Sequence, residues 1–112
     1  MQTYNLSEHT SGDTWKGIPE ITISRDGTPL DLTDSHVEFH VKFQIDAPTV
    51  FKITSDDDSI IILDPATGGN IQIPPQIVNI PPANYIWSLK ITLATGEVDT
   101  FVIGHWNIVK TA

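Results

Sequence analysis

Between Ala83 and Leu93 the chain alternates: Tyr85, Trp87, Leu89, Ile91 and Leu93 share one parity, Asn84, Ser88, Lys90 and Thr92 the other, and Ile86 is the one exception. A period of two belongs to a strand with one buried face. Thr95-Gly96 turns the chain back. Pairing across that turn sets Leu93 opposite Val98, Ile91 opposite Thr100, Leu89 opposite Val102, Trp87 opposite Gly104 and Tyr85 opposite Trp106. Glycine at 104 leaves room for the Trp87 indole, a packing reason for glycine inside a strand. His36 to Phe43 repeats the pattern, with Val37, Phe39, Val41 and Phe43 against His36, Glu38, His40 and Lys42. These strands supply the expected core anchors: Phe39, Val41, Tyr85, Trp87, Leu89, Val102 and Trp106.

The remaining segments are shorter. Thr3 to Ser11 reads as an edge strand or a loose arm, and Ile21 to Ser24 as a strand that Arg25-Asp26-Gly27-Thr28 turns. Leu30 and Leu32 then face one way. Val50 to Ile53 is a short strand, and the β-branched run Ile60-Ile61-Ile62-Leu63 predicts a buried one. Asp64 to Gly69 turns the chain into a return strand carrying Ile71 and Ile73. Pro74-Pro75 and Pro81-Pro82 bracket Gln76 to Ile80, which fits one helical turn or an extended crossover but not the centre of a sheet. Short strands between Gly, Pro and Asp turns, without a helical period, predict an antiparallel β-sandwich of about seven to nine strands. It occupies 1–112 as one domain, with 1–11 as arm or edge strand and 110–112 as a tail.

Charge narrows the partners. Six Lys plus Arg stand against 14 Asp plus Glu, a net charge of -8. No basic surface is available to replace the counterions of DNA or RNA, and an anionic membrane is disfavoured for the same reason. There is no cysteine, so disulfides, a thiolate nucleophile and Cys-ligated zinc are excluded. The first residues lack the basic start of a signal peptide, and no apolar run approaches the ~20 residues of a membrane span. A cytoplasmic site of synthesis is expected.

Candidate chemistry is sparse. His36, Glu38 and His40 share one strand face, but residues two apart are separated by roughly 6.5 Å and the two histidines by roughly 13 Å, too far for one ion with ~2 Å bonds. A solvated strand face is the expectation. Asp56, Asp57 and Asp58 form the only carboxylate cluster with the chemistry for a hard cation, yet the glycine and later glutamate of the helix-loop-helix calcium motif are missing. No nucleophile elbow, phosphate loop or His-Glu-x-x-His occurs, so neither catalysis nor a cofactor is predicted. The hairpin register leaves Ile86, Phe101 and Ile103 on the side away from Trp87. Either the N-terminal arm or the Pro-rich crossover covers them, or they form an exposed apolar patch of the kind that marks a partner surface, which a symmetric homo-oligomer would use. Sugar binding needs exposed aromatic rings beside polar groups, for which Trp15, Trp106 and Tyr4 are the candidates.

Tyr85 at the start of a long strand after a Pro-Pro corner, with Trp87 as a large core anchor, points to an immunoglobulin-like sandwich. The succession Gly12-Asp13-Thr14-Trp15, Asp26-Gly27-Thr28-Pro29-Leu30-Asp31-Leu32-Thr33, Val37 to Phe43, Leu63-Asp64-Pro65, Gly69-Asn70-Ile71 and Pro82-Ala83-Asn84-Tyr85 resembles small phage and prophage virion proteins. It is most similar to the N-terminal β-sandwich of upper baseplate proteins and related tail or head accessory proteins. Asn84 stands where such proteins often carry glycine; asparagine tolerates the left-handed backbone. The resemblance implies a structural or assembly role in a virion, first in the host cytoplasm and then in the particle. It implies other virion proteins as partners, and it supplies no catalytic residues. A carbohydrate-binding or adhesin-type module is the alternative expectation.

Overall fold

The computed structural model describes residues 2–44 and 46–110. Its strands are β1 (Gln2–Thr3), β2 (His9–Thr10), β3 (Thr14–Trp15), β4 (Ile18–Thr22), β5 (Ser24–Arg25), β6 (Thr28–Pro29), β7 (His36–Lys42), β8 (Thr49–Thr54), β9 (Ile61–Ile62), β10 (Asn70–Ile73), β11 (Gln76–Ile77), β12 (Ala83–Thr92) and β13 (Val98–Val109). Helical structure among the described residues is confined to two 3-10 turns, Ser55–Asp57 and Ala66–Gly68. Neither is long and apolar enough to cross a membrane.

The chain is an all-β sandwich. The main sheet runs β1-β13-β12-β7-β8, with β2 also on β13, and a second sheet runs β4-β10-β9. In β7 and β12, side chains of one parity reach the space between the sheets. Val37, Phe39, Val41, Trp87, Leu89 and Ile91 enter it from the main sheet and are fully buried. Ile18, Ile21, Ile71 and Ile73 meet them from the second sheet, joined by Ile23, Leu30 and Leu32. Tyr85, Val102 and Trp106 are buried as well.

Aromatic rings form one continuous stack at the centre. Phe39 lies between Trp15 and Trp87, with ring centroids 5.5 and 5.3 Å away, and Trp15 touches Trp106 at 4.6 Å. Phe39 therefore carries contacts that the closing hairpin alone could not supply. Tyr85 closes one end: its hydroxyl donates to the Pro81 carbonyl at 2.5 Å, the local bond that a tyrosine corner makes.

Local chemistry accounts for the turns. Asp26 and Gly27 both have positive φ, 53° and 78°, the requirement of a two-residue hairpin whose twist matches its strands; it links β5 to β6. Pro19 lies in β4, an edge strand where a missing N–H costs no ladder bond. The stretch between the proline pairs is extended, and β11 pairs with β3. The N-terminal segment is an edge strand in two pieces, running parallel to β13 with Gln2 beside Val102 and His9 beside Ile108.

Two sequence expectations need correction. The β12–β13 register holds from Tyr85–Trp106 to Leu89–Val102, but then a bulge intervenes. Lys90 pairs with Thr100, Ile91 with Asp99 and Thr92 with Val98, so the expected Ile91–Thr100 and Leu93–Val98 pairs do not form. Phe101 is the extra residue, and inserting it lets both Phe101 and Val102 turn inward. The run Ile60 to Leu63 is not uniformly buried either. β9 is a short edge strand, so Ile60 is enclosed while Ile61 is 37% exposed.

Candidate interaction surface

Because the inner parity of the main sheet is committed to the core, its other parity forms a continuous outer face. Strand register arranges this face in rows. Lys42, Ile86 and His105 are cross-strand neighbours in one row; Lys52, His40, Ser88, Ile103 and Thr3 form the next; Thr54, Glu38, Lys90 and Thr100 follow. His36 and Thr92 stand at the far end.

The most organised part of the face is a hydrogen-bonded chain centred on Glu38. One carboxylate oxygen meets His40 Nε2 at 2.7 Å and the other meets His36 Nε2 at 3.0 Å. Each imidazole is held from its far side as well: His36 Nδ1 lies 2.8 Å from Asp56 Oδ1, and His40 Nδ1 lies 3.2 Å from Thr49 Oγ1. Lys52 Nζ approaches Glu38 at 3.8 Å. Ring hydrogens directed at the carboxylate, from His40 first and then His36, hold Glu38 down at about 2 despite its partial burial. His36 is raised, mainly by its bond to Glu38 and further by Asp56. Two carboxylates flank its two ring nitrogens, so the doubly protonated ring is the form this geometry favours.

The strand face expected to be merely solvated is also internally bonded, with one carboxylate bridging the two histidines. Among the described residues no group of three or more His, Asp or Glu is arranged to hold a metal. The aspartate cluster is used for turn structure. Asp56 bonds His36, Thr54 Oγ1 accepts from the Asp56 N–H, Asp57 Oδ1 accepts from the Ser59 N–H, and Asp58 takes a left-handed backbone with φ 63°.

Of the three predicted patch residues, Ile86 and Ile103 lie partly exposed on the outer face, in adjacent rows. Phe101 does not join them. The bulge turns its ring inward to 8% exposure, and the Arg25 guanidinium covers it at 5.1 Å. Arg25 is itself fixed by Glu97 and Asp99 at 2.5 and 3.5 Å. The Lys90 and His105 side chains are exposed on the face, and Lys42 is partly so. Neither Lys42 nor Lys90 has a carboxylate partner among the described residues.

No family model matches the chain, and no curated protein does. Trp15 and Trp106 are packed against each other inside, at 7% and 1% exposure, so the paired aromatic platform for a sugar is not at the surface. Tyr4 remains exposed beside a groove of ≈ 350 Å³ between the N-terminal segment and the β3–β4 connection. Sequence reasoning missed the Glu38 chain because Asp56 and Thr49 reach it only through the β7–β8 pairing. The available signal was the His-x-Glu-x-His parity, which places all three groups on one side of one strand.

Proposed function

We propose that this chain is a non-enzymatic structural and assembly module that works through protein contacts, as the resemblance to phage tail and baseplate components implies. The observation that carries this reading is the outer face of the main sheet. It presents Ile86 and Ile103 at the surface, between the bonded Glu38 chain and the cations Lys42 and Lys90, unpaired among the described residues. Covering its aliphatic centre is favourable, and Lys42 and Lys90 are free to meet carboxylates of a partner. Open edges at β8 and β9 extend the available contacts. The strand order, with N-terminal and C-terminal strands parallel in one sheet, and the Tyr85–Pro81 bond support an immunoglobulin-like arrangement.

The test is the particle. In the strain that encodes the chain, tail, tape-measure or portal genes are expected beside its reading frame, and the protein is expected in density-banded particles by mass spectrometry. Metabolic or surface-polysaccharide neighbours, together with absence from purified particles, would remove the virion reading.

A further inference from the structure

We infer that the outer face of the main sheet docks on the same face of a second copy, about a two-fold axis lying in the interface and perpendicular to the strands. This rests on reading the face as a contact surface, and adds the partner and its orientation.

The charge layout selects the arrangement. One end of the face carries Lys42 and His105 on either side of Ile86, with His40 and Lys52 in the next row, and no carboxylate in either row. The other end carries His36 and the turn bearing Asp56, Asp57 and Asp58. An in-plane axis across the strands brings each acidic turn over the partner's Lys42 end. An axis along the strands would instead set Lys42 over the partner's His105, in a row that offers it no carboxylate. Carboxylates at the Lys42 end are confined to its margins, at Asp46 in the β7–β8 turn and Glu8, which accepts from Asn107.

Size agrees with this. Five strands about 4.8 Å apart and seven residues of about 3.3 Å each give a face of roughly 24 by 23 Å. Buried on both copies, a plan area of about 550 Å² each just clears the roughly 1,000 Å² that a specific interface requires. Near the axis lie Ser88, Ile103 and Thr100, with His40, Glu38 and Lys90 in the same two rows.

Sedimentation velocity over a concentration series tests the proposal. The wild type is expected to dimerise, and Lys42→Glu and Asp58→Lys each to sediment as monomers. An equimolar mixture of the two variants is expected to recover the dimer, since every contact then joins opposite charges. A wild type monomeric at all concentrations overturns the proposal, as do variants that dimerise like wild type or a mixture that stays monomeric. If a variant fails to fold, crosslinking decides. The chain has no cysteine, so Ser88→Cys should crosslink to itself through a short bis-maleimide while Asp26→Cys, on the β5–β6 hairpin, should not; the reverse result refutes the orientation. A monomeric chain still found in particles would remove self-docking alone and leave the assembly reading in place.

Discussion

Replacing Glu38 by Gln should destabilise the fold most in a defined pH window. Glu38 falls from 4.5 to about 2 in the folded chain, which at about 1.4 kcal/mol per tenfold sets a ceiling of roughly 3 kcal/mol. The face is open to water and Glu38 is 21% exposed, so screening brings the expected loss to about 1–2 kcal/mol. A lowered carboxylate stabilises the fold above its ordinary range, and that contribution fades as pH falls toward about 2. A raised histidine acts in the opposite direction: His36 contributes fully below its ordinary value of 6.5 and loses that contribution as pH climbs through its folded value. Both contributions coexist between about pH 4.5 and 6.5. Urea unfolding of wild type and Glu38→Gln at pH 5.5 and 8.5 measures the difference. The loss should shrink at pH 8.5 as His36 gives up its proton, leaving the Glu38 carboxylate only its N–H bonds and Lys52. An equal loss at both pH values, or none at pH 5.5, would refute the ionic account of the Glu38 chain.

Gly104→Ala places a methyl against the Tyr4 carbonyl and 2.7 Å from Trp87 Nε1; a cost of about 1–3 kcal/mol is expected, with hydrogen-exchange protection lost at Tyr4 and Leu6, whose amides bond Ile103 and His105. Tyr85→Phe removes the bond to Pro81 and should cost about 1 kcal/mol in urea, without altering near-ultraviolet tryptophan signals. Phe39→Ala opens the centre of the ring stack and should cost about 3–5 kcal/mol, seen as a large fall in melting temperature.

How much of the fold is legible in sequence follows from what each signal encodes. Period-two alternation fixes which side of a strand is buried, so spacing alone places Phe39, Trp87 and Leu89 in the core, and the Asp26-Gly27 turn declares itself through its backbone requirement. A bulge leaves no such mark. Phe101-Val102-Ile103 is uniformly apolar, and nothing local says which residue is the extra one, so alternation carried past Leu89 slips the register and sets Phe101 on the wrong side. The Glu38 chain shows a second limit: His36, Glu38 and His40 share a parity in sequence, but Asp56 and Thr49 join them only once β8 folds back on β7. Trp15 illustrates a third. An isolated tryptophan in a polar stretch has no period to betray its burial, and only rings from distant strands, Phe39 and Trp106, enclose it.

The parallel pairing of the first and last strands bears on how the module would respond to tension. Gln2 lies beside Val102 and Thr10 beside Val109, so the backbone enters at one pole of the sandwich and leaves at the other. A pull on Gln2 and Lys110 runs along the strands and loads the Tyr4–Ile103, Leu6–His105 and Ser11–Val109 bonds together, in shear rather than by unzipping one after another. Stretched between two neighbours, the domain would hold until that whole seam yields at once.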